Sequence, residues 1–109
     1  MALTAKQLKK LIPLALKRAR EQRGFTIDQA VLQSKIDKLT LENHERGINL
    51  PNMHFFLLEL QTYGLDFGRF HELLLEVDNE MRQKELEEKI QQLEQRLLAL
   101  EQSVKPKAS

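Results

Sequence analysis

Apolar residues recur three and four positions apart through most of the chain, which is the spacing of amphipathic helices. The first such stretch runs from Thr4 to Gln22 and contains Leu8, Leu11, Ile12, Ala15, Leu16 and Ala19. Because proline breaks the interior of a helix, we predict a short helix that ends near Leu11 and a second helix from about Pro13 to Gln22. Gly24 is the predicted stop.

Two short helices joined by a tight turn are predicted next. Thr26, with Gln29 three residues later, has the pattern of a capping box that begins a helix. Asp37 is the N-cap candidate of the second helix, and Gly47 closes it. Only residues 34–36 lie between the two helices, and this is the spacing of a helix-turn-helix.

Two further helices are predicted after a loop at residues 49–52, the first ending at Tyr63 and Gly64 and the second beginning at Asp66. We assign Met53 and the clustered aromatic residues to one compact core; the aromatic residues are Phe55, Phe56, Tyr63, Phe67 and Phe70. No strand pattern is present. The fold class is therefore predicted to be all-α, a helix-turn-helix bundle followed by a long C-terminal helix.

The C-terminal third has a heptad pattern. Apolar residues alternate at spacings of four and three, with position a at Ile90, Leu97 and Val104, and position d at Leu86, Leu93 and Leu100. Branched residues at two of the three a positions, with Leu at every d position, favour two parallel strands. These six residues, which we call the seam, are the predicted dimerisation contacts.

Charges beside the seam select the orientation of the two strands. The e positions are all acidic (Glu87, Glu94 and Glu101), and three g positions are basic (Arg82, Lys89 and Arg96). In a parallel pair each basic g residue faces an acidic e residue of the partner, whereas an antiparallel pair places like charges together. We therefore interpret the seam and its flanking charges as the signature of a parallel homodimer. The alternatives are an amphipathic helix that folds back on its own domain and a coil formed with a different protein.

Composition limits the function classes. Hydrophobic residues make up 41% and charged residues 30%, and no apolar run is long enough to cross a membrane. Cysteine is absent, so disulfides and thiolate metal sites are excluded. We expect cytoplasmic localisation. The net charge of +1 divides unevenly, since ten Lys and Arg oppose five Asp and Glu up to Gly47. A basic first half is the electrostatic signature of a polyanion binder.

The middle of the chain, from about Leu16 to Phe70, resembles the lambda-repressor/Cro-like family of helix-turn-helix DNA-binding domains. The resemblance rests on the order of capping, turn and closing residues: Arg23-Gly24, Thr26, Ile36-Asp37, Leu41, Glu45-Arg46-Gly47, Pro51 and Tyr63-Gly64. This chain has Lys35 where the family usually has Gly, Ala30-Val31 where it has Leu-Ala, and Ile27 where Gln is frequent. The resemblance implies a left-handed backbone at Lys35, which lysine adopts at some cost.

The resemblance also implies which side chains contact DNA. The second helix of the motif enters the major groove. Its expected base contacts are Lys38, Leu39, Glu42 and Asn43, and the expected phosphate contacts are Thr26, Thr40, Arg46 and Asn49. The lysines and arginines between Lys6 and Arg23, including Arg20, are expected to add attraction to phosphates. His44 is expected on the inner edge of this helix, packed and hydrogen-bonded.

The sequence contains no catalytic constellation, phosphate-binding glycine loop or metal-binding spacing, so we predict neither an enzyme nor a cofactor. We predict a transcriptional regulator, a repressor or autoregulator, that binds an inverted-repeat operator in double-stranded DNA as a homodimer. Residues 1–71 form the DNA-binding domain, 72–104 the dimerisation helix and 105–109 a disordered tail. The alternatives are an antitoxin or anti-activator with a further protein partner, and a scaffold that uses the coil without DNA.

Overall fold

The computed structural model describes residues 2–104, with only the backbone described at Val104. The described part of the chain is all-α, as predicted, and contains no strand. Its five helices are α1 (Ala5–Gln22), α2 (Ile27–Ser34), α3 (Lys38–Arg46), α4 (Met53–Tyr63) and α5 (Phe67–Val104). The predicted long C-terminal helix is confirmed as α5. The predicted tail at 105–109 lies outside the described residues.

Side-chain caps define where the helices begin. The predicted capping box is confirmed, because the Gln29 amide donates to Thr26 Oγ1 at 3.2 Å and the Thr26 amide donates to Gln29 Oε1 at 2.8 Å. The predicted N-cap of α3 is also confirmed, with the Thr40 amide donating to the Asp37 carboxylate at 3.0 Å. Each bond satisfies a backbone donor that has no partner within the first turn of its helix.

Pro13 does not divide α1, so the predicted break there is wrong. The helix is continuous from Ala5 to Gln22 with Pro13 inside it and buried. Proline removes one backbone hydrogen bond from a helix interior. The apolar face compensates, since Leu11 before the proline and Leu16 after it are 1% and 0% exposed. Packing on both sides therefore holds the two halves of α1 in one helix.

The chain divides into two compact units, Met1–Asp78 and Asn79–Ser109. In the first unit, α1 and α2 each pack against both α3 and α4. The predicted domain end at residue 71 falls within α5, and three buried residues beyond it, Leu73, Leu74 and Val77, belong to the first unit. Within residues 2–104, no helix combines the length and the apolar character that a membrane crossing requires.

The predicted core is only partly correct. Tyr63 and Phe70 are buried, at 4% exposure each, and Phe56 packs edge-on against Phe70 with ring centroids 5.0 Å apart. Met53 and Phe67, however, are exposed to 65% and 57%. Both lie in the first turn of their helices, where the apolar spacing alone did not distinguish an inward position from an outward one.

Candidate nucleic-acid interface

A sharp turn between α2 and α3 sets the direction of α3. Lys35 has φ 62° and ψ 22°, and it is the one non-glycine residue with positive φ in the described part of the chain. The left-handed backbone that the resemblance implied at Lys35 is thus confirmed. The turn is fixed by its neighbours, because Ile36 is 2% exposed and its amide donates to the hydroxyl of buried Ser34 at 3.2 Å.

The outward side of α3 carries the four expected base-contacting residues. Lys38 and Leu39 are exposed, Leu39 to 66%, whereas Glu42 and Asn43 are half-buried. Lys38 Nζ lies 3.1 Å from Asp28 Oδ1, and both side chains are largely solvent-accessible. An exposed ion pair of this kind contributes little stability, so the ammonium group remains available to another acceptor.

The inner side of α3 is buried at Leu41 and His44. The expectation of a packed, hydrogen-bonded His44 is confirmed, since its Nδ1 lies 3.1 Å from Oε2 of Glu59 on α4. Burial lowers the pKa of His44 and raises the pKa of Glu59 to about 8. Nearby Glu45 adds a smaller upward shift to the pKa of Glu59. We name His44 and Glu59 the buried pair.

A second buried contact holds α3 against α1. Arg20 Nε and Nη2 donate to the two carboxylate oxygens of Glu45 at 2.8 and 2.9 Å, and Nη1 donates to the carbonyl of Phe25 at 2.8 Å. The side chains of Arg20 and Glu45 are only 13% and 7% exposed. The bond from Glu45 raises the pKa of Arg20. These three hydrogen bonds direct the guanidinium group of Arg20 to partners within the protein, unlike the expected attraction to phosphate.

The sequence offered one signal for this contact. Arg20 lies next to buried Ala19 and one turn after buried Leu16, at the edge of the apolar stripe of α1. A charged residue at such a position requires a partner. Residue types and spacing identify Glu45 only as part of the segment Glu45-Arg46-Gly47 at the end of the helix-turn-helix pattern, and they do not show which helix its side chain faces.

The expected phosphate contacts differ in availability. Arg46 and Asn49 are exposed near the end of α3. Thr26 is exposed and caps α2. The Thr40 hydroxyl donates to Asp37 Oδ1 at 2.6 Å, and this bond is the largest of those that lower the pKa of Asp37. Thr40 would have to release this bond to donate to a phosphate.

A shallow polar pocket of about 240 Å³ lies where α1, α2 and α3 meet. Cationic side chains of α1 and α3 lie in this pocket beside the first turn of α2, together with two carboxylates of α3. The lining residues are Lys17, Arg20, Ile27, Glu42, Glu45 and Arg46. The N-terminus of a helix carries partial positive charge, which adds to that of the exposed cations Lys17 and Arg46.

The seam residues lie on α5 in the second unit. Five of them have exposed side chains, between 46% for Ile90 and 61% for Leu93. The side chain of Val104, the sixth, is outside the described residues. Leu98 is exposed to 58% although it lies outside the seam. The single chain therefore presents a line of apolar side chains to solvent along this unit.

Comparisons with protein-family models, with curated proteins and with solved structures found no match for this chain. The resemblance to the lambda-repressor/Cro-like domains accordingly stays a prediction.

Proposed function

We propose that the protein is a sequence-specific DNA-binding transcriptional regulator that acts as a parallel homodimer. The observation that carries the proposal is the way α3 is held. The residues on its inner side are buried against α1 and α4, while Lys38 and Leu39 on the opposite side are exposed. A short, firmly held helix with an open outer face suits insertion into the major groove.

The outward side chains of α3 offer varied chemistry to base edges. Lys38 can donate to guanine O6 or N7, and Asn43 can bond adenine through its amide. Glu42 can accept from cytosine N4, and exposed Leu39 can contact a thymine methyl group. Residues of these types distinguish base pairs and supply the sequence-dependent part of binding.

Phosphate contacts would supply the sequence-independent part. Arg46, Asn49 and Thr26 are exposed around the ends of α2 and α3, with Lys17 close to Arg46 in the polar pocket. The excess of positive charge in the first half of the sequence favours a polyanion. Each phosphate neutralised should contribute about −0.9 to the slope of log affinity against log salt concentration.

The exposed seam supports self-association. Removal of apolar surface from water stabilises a complex by about 25 cal/mol per Å², and the five described seam residues would be covered in both copies. The charge pattern beside the seam favours the parallel arrangement. A parallel pair has two-fold symmetry, so the operator would be an inverted repeat with half-sites roughly 34 Å apart.

The test begins with selection of duplexes from a randomised DNA library by the full-length protein. We expect enrichment of an inverted repeat, and a fluorescence-anisotropy titration that weakens steeply with salt. Lys38→Ala and Asn43→Ala should each reduce affinity by roughly 1–3 kcal/mol and relax specificity at one position of each half-site. Lys84→Ala removes the same charge from α5 and serves as the control for Lys38. No enriched sequence, or equal affinity for all duplexes, would refute the proposal.

One observation favours a protein-binding role, as an antitoxin or a scaffold, instead. An apolar groove of about 160 Å³ is lined by Ile12, Leu50, Pro51, Met53 and Phe56, and Met53 is exposed to 65%. Exposed apolar surface is typical of protein-binding sites. A protein that self-associates through the seam but binds no DNA at low salt would support this second function.

A further inference from the structure

The buried pair lies directly against the inner side of α3. His44 is 3% exposed and Glu59 0%, and their one hydrogen bond joins Nδ1 to Oε2. The other carboxyl oxygen, Glu59 Oε1, has no hydrogen-bonding partner within the described residues, and neither does the hydroxyl of Tyr63 one turn later on α4. A carboxylate at this position would be a buried charge with a single bond, so a neutral carboxyl group that shares its proton with the imidazole is favoured.

The acidic groups around the buried pair oppose loss of its proton. Glu45 on α3 faces Glu59, and Tyr63 on α4 is a buried, uncharged hydroxyl. Burial lowers the pKa of His44, and Asp37 at the N-cap of α3 partly offsets this lowering. The cation that α1 contributes to this cluster, Arg20, already donates to both oxygens of Glu45 and to a backbone carbonyl. Loss of the proton from the buried pair would therefore leave two carboxylates, Glu45 and Glu59, near one guanidinium group that is already hydrogen-bonded to Glu45 and to a backbone carbonyl.

We propose that Glu59 is a positioning residue for α3, and that the proton it shares with His44 makes DNA binding by the outward side of α3 dependent on pH. This inference rests on the proposed function. When the proton leaves, the buried charge is relieved by entry of water or by displacement of His44. Because His44 belongs to α3, either change loosens the helix that presents Lys38 and Leu39.

The number of protons bound in the folded and unfolded states gives the direction of the pH dependence. In the unfolded chain, the ordinary pKa values are 4.5 for Glu59 and 6.5 for His44. The two groups together therefore hold one proton between pH 4.5 and 6.5, and none at a pH well above 6.5. In the folded chain, burial lowers the pKa of His44 and raises the pKa of Glu59 to about 8, so one proton is still held near neutral pH. Between about pH 6.5 and 8, the folded state therefore holds a proton that the unfolded chain has lost. Stabilisation by the pair is therefore lost as pH rises through this range.

Two measurements on the full-length protein test the inference. The first is an NMR titration of the Glu59 side-chain carboxyl carbon and of the α3 amides. The second is the affinity, from about pH 6.5 to 9, for the duplex enriched from a randomised library. We expect the carboxyl carbon and the α3 amides to titrate together above pH 7. The affinity should fall by up to about tenfold between pH 8 and 9, because one linked proton changes a binding constant by at most tenfold per pH unit.

Variants separate the buried pair from other titrating groups. Glu59→Gln keeps the shape of the side chain but cannot ionise, so its affinity should not change with pH. His54→Gln removes an exposed histidine from the same helix and should keep the wild-type pH profile. If Glu59→Gln does not fold, the double variant His44→Leu/Glu59→Leu replaces the pair with apolar side chains of similar size and should also give a flat profile.

Each result decides between the alternatives. A wild-type affinity that does not change with pH, or a pH-dependent loss that persists in the non-ionisable variants, would overturn the inference. Titration of the carboxyl carbon near the ordinary range of glutamate would overturn it as well. Failure to enrich any duplex would refute the proposed function and, with it, the effect on DNA. The NMR titration would then still show whether the buried pair moves α3.

Discussion

Removal of the Arg20 guanidinium group should destabilise the first unit severely. Arg20 makes two bonds to Glu45 and one to the carbonyl of Phe25, and both charged side chains are more than four-fifths buried. In Arg20→Ala the Glu45 carboxylate stays in place without its partner, near the carboxyl group of Glu59. The variant therefore creates an uncompensated buried charge as well as removing hydrogen bonds.

The size of the effect follows from this burial. Removal of one member of a buried ion pair costs about 3–5 kcal/mol. We expect the lower value, about 3 kcal/mol, because 13% of the Arg20 side chain is exposed to solvent and its charge is partly hydrated. A domain of this size has a free energy of unfolding of roughly 5–15 kcal/mol, so the variant loses a large share of it. The corresponding decrease in Tm is roughly 12–24 °C. Arg20→Lys keeps the charge but not the two-pronged geometry and should lose about 1–2 kcal/mol.

Urea denaturation followed by far-UV circular dichroism, at one protein concentration, measures the free energy of unfolding. A double-mutant cycle with Arg20→Met and Glu45→Leu isolates the pair. We expect each single variant to be strongly destabilised and the double variant to recover to within about 1 kcal/mol of the wild type. Lys17→Ala, an exposed position on the same helix, is the matched control and should change stability by less than about 0.5 kcal/mol. A loss below about 1 kcal/mol in Arg20→Ala would refute the reasoning.

Two smaller predictions concern the turn and the seam. Lys35→Gly should raise the free energy of unfolding by up to about 1 kcal/mol, because glycine adopts φ 62° without strain. The control Gln33→Gly, within α2, should lower the free energy of unfolding by about 0.5–1 kcal/mol. Equal losses of stability in the two variants would contradict this prediction. Leu97→Lys should shift the full-length protein from dimer to monomer in sedimentation experiments, since it places a charge in the seam. Leu98→Lys, at the same 58% exposure but outside the seam, should leave the dimer intact, and equal effects of the two substitutions would argue against the heptad register.

The helix ends could be predicted from the sequence because they depend on local chemistry. Thr26 with Gln29, and Asp37 with Thr40, form bonds across three residues, so the residue types and their spacing determine the geometry. Gly47 ends α3 with φ 76°, a left-handed backbone that glycine adopts without strain. Such signals depend on the immediate neighbours in the chain alone.

Long-range partners could not be predicted in the same way. The expectation for His44 was correct in kind, yet its partner Glu59 lies fifteen residues away on another helix, and nothing in the spacing marks this residue as buried. Arg20 and Glu45 are twenty-five residues apart. Pro13 was also misjudged from local rules, because the packing of α1 on other helices exceeds the cost of one missing backbone bond.

Consecutive residues of α3 are held by different helices, and this arrangement constrains orientation more than it adds stability. His44 bonds to α4 and Glu45 bonds to α1, so α3 is held from two directions at adjacent positions. Buried polar pairs are weak sources of stability compared with apolar side chains of the same size, but their hydrogen bonds tolerate little change in angle. A helix of nine residues held only by apolar contacts could rotate or slide with small loss. The two contacts oppose such movement, since rotation or sliding of α3 would break their hydrogen bonds, and reading base edges by Lys38 and Asn43 would require the same restriction.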